Sequence, residues 1–95
     1  MLPDQNERTR GFLVSGRVQG VGFRWWTRLQ ASRLELSGTV RNLADGRVEV
    51  RVCGSIPAVE ELERRLRTGP RAAAVDGLEA FDVEEPLLPG FRVIS

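Results

Sequence analysis

The chain has 95 residues, enough for one domain but not for a second core or a deep enclosed cavity. Its 14 basic and 13 acidic residues leave a formal charge of +1, so it has no overall cation excess for nonspecific nucleic-acid binding, and no apolar run approaches the length of a membrane span. With no histidine and a single cysteine, Cys53, it lacks Ser-His-Asp and Cys-His catalysis, histidine-ligated metal, a cysteine-based zinc site and any intrachain disulfide.

Residues 1–9 are polar, carry neither a signal-peptide nor a lipid-anchor pattern, and are expected as a flexible lead-in to a domain spanning 10–95. Phe12, Val14, Gly16 and Val18 alternate with Leu13, Ser15 and Arg17, which predicts a first strand with its even positions on the core. Gln19-Gly20-Val21-Gly22 breaks the alternation as a glycine-rich turn. A helix follows from about Gly22 or Phe23 to Leu34, with Phe23, Thr27, Ala31 and Leu34 on one face and Trp26 and Leu29 widening it. Trp25 lies off that stripe.

A second strand is expected over 36–43, and Asp45-Gly46 reads as a two-residue primed hairpin turn. The third strand, 47–53, alternates most clearly: Val48, Val50 and Val52 against Arg47, Glu49, Arg51 and Cys53. Ser55 and Pro57 open a second helix, Val59, Leu62 and Leu66 form its stripe, and Gly69-Pro70 ends it. A fourth strand over 75–83 puts Val75, Phe81 and Val83 in register, and Phe91 to Ile94 forms a short last strand after the rigid Pro86–Pro89 connector.

This order predicts an α+β ferredoxin-like sandwich, βαββαβ plus a short C-terminal strand. The antiparallel sheet has the order 4-1-3-2, with both helices on its even-residue face. In that topology strands one and two run in the same direction, so the glycine turn and Asn42 meet at one end of the sheet.

Two readings fit the turn. In one, glycine backbone angles and the helix's free N-terminal amides make an anion cradle at Gln19, Gly20, Val21, Gly22, Phe23 and Arg24, with the Arg24 guanidinium reaching in. In the other, the glycines form a tight βα turn and Arg24 is a solvated charge. Asn42 is likewise open to a hairpin-capping role. The uncovered face (Leu13, Ser15, Arg17, Glu49, Arg51 and Cys53) presents no aromatic platform for RNA, so a noncatalytic RNA-binding or anion-binding module is the alternative rather than the main reading.

At these residues the chain resembles the acylphosphatase family. GRVQGVGFR, from Gly16 to Arg24, looks like that family's first signature, and LELSGTVRNLADGRVE, from Leu34 to Glu49, looks like its second. The likeness runs over about residues 10–95. It implies cofactor-free and metal-free hydrolysis of a small-molecule acyl phosphate to carboxylate and inorganic phosphate. Arg24 and Asn42 fall on the catalytic positions, and the backbone from Gln19 to Arg24 on the phosphate cradle. It further implies that Arg24 grips the phosphoryl group and Asn42 holds the attacking water. The expected protein is a cytoplasmic monomer without nucleic-acid or membrane partners. Glu35 replaces a usual glycine and Thr39 a usual large residue; neither replaces a catalytic group.

Overall fold

A computed structural model describes residues 6–95. In chain order the elements are β1 (Glu7–Arg17), α1 (Phe23–Arg33), β2 (Ser37–Asn42), β3 (Val48–Ser55), α2 (Ile56–Thr68), β4 (Ala74–Phe81) and β5 (Phe91–Val93). They form one sheet of order β4-β1-β3-β2-β5, which is the ferredoxin-like order with an added edge strand. β3 runs antiparallel to both β1 and β2, so the latter two are co-directional.

Both helices bury their stripes on one face of this sheet. Phe23, Thr27 and Ala31 of α1, and Val59, Leu62 and Leu66 of α2, close over Phe12, Val14, Val40, Val48, Val50 and Val52. The three valines of β3 are fully buried, each contributing roughly 1.5–3 kcal/mol. α1 covers β2 and β5, whereas α2 covers β1, β3 and β4. Ser55 caps α2 by accepting the Ala58 N–H at 3.3 Å, with Pro57 in the first turn.

Several expectations are corrected. β1 begins at Glu7, where Glu7, Arg8 and Thr9 pair with Ser55, Gly54 and Cys53. The sheet therefore reaches three residues into the expected lead-in, because a backbone ladder needs no apolar side chains. Residues 1–5 of that lead-in lie outside the described residues. The terminal strand makes the sheet mixed, since β5 pairs parallel to β2.

In the hairpin, the Gly46 N–H donates to the Leu43 carbonyl and the Leu43 N–H to the Arg47 carbonyl. Ala44 and Asp45 are thus the central turn residues, neither with positive φ, and Gly46 follows at φ 96°. This is a type I turn with a glycine bulge, not a primed two-residue turn. In β4, Gly77 pairs with Ser15 but Val75 with Gly16, so Asp76 is an extra residue. That bulge reverses the alternation: Val75 and Leu78 pack on the core, while Phe81 lies on the open face with the Arg51 guanidinium 5.7 Å from its ring centre. Leu29, expected on the buried side of α1, is 47% exposed.

Candidate active site

The loop leaving β1 brings Gly20 and Gly22 to φ 75° and 79°, left-handed values that glycine adopts without the steric penalty other residues carry. A Cβ at either position would meet no atom within 4 Å, so what these positions require is backbone conformation, not space. Gly22 serves as the N-cap of α1 without a side-chain cap, and the first turn holds no acid. The first amides of an α-helix lack intrahelical acceptors. Here no side chain caps them, and they stand at the positive end of the helix dipole, a position that suits an anion.

Arg24 follows two residues after that cap. On α1, Gln30 accepts a 2.9 Å hydrogen bond from Arg65 of α2, and Trp26 borders the same groove. At about 100° per residue, Arg24 therefore lies on the opposite flank, toward β2 and β5. Among the described residues it has no ion-pair partner.

Asn42 ends β2 at the same end of the sheet. Its backbone N–H donates to the Ser95 carbonyl at 3.0 Å, tying the segment after β5 to this position. Its side-chain Oδ1 is buried, and among the described residues no group donates to it. A buried acceptor in that condition costs about 1–3 kcal/mol.

A contact that sequence reasoning missed joins these pieces. The Gln19 side chain, expected only as part of the backbone cradle, donates through Nε2 to the Leu43 carbonyl at 2.8 Å and to the Arg47 carbonyl at 2.9 Å. It clamps the glycine loop to the hairpin that begins at Asn42. The available signal was a lone amide among glycines and valine, beside a hairpin that the topology makes its neighbour.

Asp45 stiffens the hairpin from its tip, accepting from the Arg47 backbone N–H at 3.1 Å and from the Arg47 Nε at 2.8 Å. Those bonds hold its carboxyl below the usual value, and the same side-chain contact raises Arg47. Gln19 and the hairpin that follows Asn42 are thus brought together directly, and Arg24 and the start of α1 follow in the same loop.

Two hollows lie elsewhere: about 360 Å³ between the helices, lined by Trp26, Gln30, Glu61, Arg64, Arg65, Thr68 and Gly69, and about 350 Å³ on the open sheet face beside Thr39. A phosphoryl group needs a few convergent donors rather than volume, so the shallow loop remains the better candidate. On the open face, Glu49 accepts from Arg41 at 3.0 Å and from Arg51 at 3.1 Å, and Arg51 also reaches Glu85. Arg47 instead pairs within its turn. Trp26 packs on Phe23, with ring centres 5.5 Å apart, and Cys53 is a half-buried free thiol. Among the described residues, no group of three or more acidic or cysteine side chains could hold a metal, and no helix is long and apolar enough to cross a membrane.

The acylphosphatase family profile matches residues 10–93. The chain is 48% identical to an acylphosphatase from Koribacter versatilis over 93 residues, covering 97% of this chain and 84% of that one. It is 50% identical to an acylphosphatase from Rhizobium etli, covering 97% and 98%. Among solved structures, an acylphosphatase from Coxiella burnetii superposes with a TM-score of 0.89 at 38% identity, covering 95% of each chain.

Proposed function

The chain belongs to the acylphosphatase family, and from that membership we propose that Arg24 and the amides of Gln19 to Arg24 hold the phosphoryl group while Asn42 positions the attacking water. Its activity is hydrolysis of acyl phosphates to carboxylate and inorganic phosphate. The observation that carries the site reading is the Gln19 clamp, which couples the loop of free amides to the hairpin starting at Asn42.

The chemistry asks little of the protein beyond charge and position. Water oxygen bonds to phosphorus as the phosphorus–acyl oxygen bond breaks, and the electron pair of that bond leaves on the carboxylate. The departing carboxylate is stable without protonation, so no strong general acid is needed. A water proton passes to a phosphoryl oxygen, giving dihydrogen phosphate or, after loss to solvent, its conjugate base. Arg24 and the amide donors neutralise phosphoryl oxygens whose charge redistributes in the transition state. The Asn42 carboxamide keeps its amide nitrogen to donate to a water, while its oxygen is buried, so the water is oriented in line with the leaving group through the donor.

A monomer in the cytoplasm, acting without a membrane or nucleic-acid partner, completes the proposal. The lone half-buried thiol fits a reducing compartment, and the near-neutral charge argues against a nucleic-acid partner.

Phosphate release from benzoyl phosphate in EDTA tests the site. Arg24→Ala should weaken inhibition by inorganic phosphate and lower kcat by about 10²–10³. Asn42→Ala should lower kcat with phosphate inhibition little changed. Normal turnover in Asn42→Ala would remove the water-positioning role, and no hydrolysis by the wild type would remove the site reading altogether.

A further inference from the structure

β4 and β5 lie at opposite edges of the sheet, so residues 82–90 have to pass from one edge to the other. The helices occupy one face, and the connector takes the other. Three contacts mark its course. Glu85 accepts from Arg51 of β3 at 2.8 Å, Leu87 reaches the hollow beside Thr39 of β2, and the Gly90 N–H donates to Ser37 Oγ at 3.2 Å. The face away from the helices is thus strapped, and about 350 Å³ stays open between strap and sheet.

The lining of that hollow is polar on its floor and aliphatic on its walls. Across β2 and β3, Thr39 faces Arg51 and Arg41 faces Glu49. Glu49, only 8% exposed, accepts from Arg41 Nε and Nη2 and from Arg51 Nε. One carboxylate is therefore shared by two guanidinium groups, and the lining carries a net charge of about +1 at neutral pH. The walls are Leu87 and Ile94, and no aromatic ring joins them. Ile94 is 41% exposed, apolar surface that a ligand would remove from water. The charge that balances Arg51 comes from the strap, because Glu85 pairs with its Nη1. The Glu85 side chain is 72% exposed, and an ion pair so open to solvent contributes little. Glu85 is thus a tethered carboxylate that a free one can displace.

We propose that this hollow is a binding site for a medium-chain alkyl carboxylate, its head group on Arg51 in exchange for Glu85 and its chain along Leu87 and Ile94. The volume stands at the small end of ligand pockets, which run from about 300 to 1,000 Å³, and suits a small amphiphile. The aliphatic walls select an alkyl chain over an aromatic body, and the surplus positive charge selects an anion over an alcohol. The site lies on the sheet face opposite α1, and it stands or falls independently of the phosphoryl site.

Octanoate titrated into the full chain and followed by amide NMR shifts tests the assignment. Saturable shifts should concentrate at residues 39–41 and 49–51 and at Leu87 and Ile94. Butyrate, four methylenes shorter, should bind at least about tenfold more weakly, and 1-octanol more weakly than octanoate. Glu85→Gln removes the competing carboxylate and should tighten octanoate binding by about two- to fivefold. Thr39→Leu fills the floor while leaving the ion pairs in place, and should abolish binding. Shifts that do not saturate, shifts confined to residues 19–24, or an affinity unchanged in either variant would overturn the proposal.

Discussion

Replacing Gln19 with glutamate keeps the side chain's shape and removes both of its donors. The two hydrogen bonds lost, to the Leu43 and Arg47 carbonyls at 2.8 and 2.9 Å, contribute about 0.5–1.5 kcal/mol each. Both carbonyls keep other donors, Gly46 N–H for Leu43 and Leu43 N–H for Arg47, so the loss stays near the sum of about 1–3 kcal/mol. In a domain of this size that corresponds to a Tm lower by roughly 5–20 °C.

The effect on rate should exceed what stability explains. A carboxylate facing two carbonyl oxygens pushes the loop from the hairpin, and about 1 Å of misplacement at a reacting centre costs about 10²-fold. Thermal melts and steady-state hydrolysis of benzoyl phosphate read both effects. kcat should fall by about ten- to a hundredfold while KM changes far less, and the deficit should shrink toward acid pH as the glutamate gains a proton and one donor returns. A Gln19→Glu protein that melts and turns over like the wild type would refute the clamp.

Glu35 sits at φ 59° just past α1, where its N–H and that of Leu36 donate to Ser32 and Ala31 in the pattern of a Schellman cap. The left-handed backbone costs a side-chain-bearing residue about 1–2 kcal/mol, partly offset by the greater unfolded freedom of glycine. Glu35→Gly should therefore raise unfolding stability by about 0.5–1 kcal/mol, and an unchanged or lower urea midpoint would contradict this. Asp45 is depressed chiefly by its Arg47 hydrogen bond, and Glu61 by those from Arg64 and Arg65. A depressed carboxyl contributes stability that is present above its unfolded pKa and lost as pH falls through the folded one. The acid limb of a Tm profile should accordingly descend below the ordinary values of 3.8 and 4.5 and be shallower in Asp45→Asn and Glu61→Gln; an acid limb as steep as that of the wild type in both variants would contradict this.

What was legible from residues was whatever a repeating pattern carries. Alternation at Val48, Val50 and Val52 marked the core face of β3, the spacing of Val59, Leu62 and Leu66 marked α2, and Ser55-Pro57 located its start. The meeting of the glycine turn with the hairpin after β2 followed from strand direction alone. Single-residue geometry was not legible. One extra residue at Asp76 moved Phe81 to the other face, and Gly46 took the bulge position because Ala44 and Asp45 completed an ordinary turn. The polar stretch at Glu7 to Thr9 joined the sheet through its backbone, about which side-chain hydropathy is silent. The Gln19 clamp is a long-range contact to carbonyls, and a carbonyl has no sequence signature.

The strand between the two halves of the candidate site contributes no reactive group, yet it sets their spacing. Val48 faces Val14 on one side and Asn42 on the other, Val50 faces Phe12 and Val40, and Val52 faces Arg10 and Gly38. A slip of β3 by one residue against either neighbour would shift the alignment by roughly 3.3 Å and turn its valines to the solvent. The energy that forbids the slip is the burial of those three side chains. Alignment of the reacting groups is thus a property of the hydrophobic centre, and substitutions there should erode turnover before they unfold the chain.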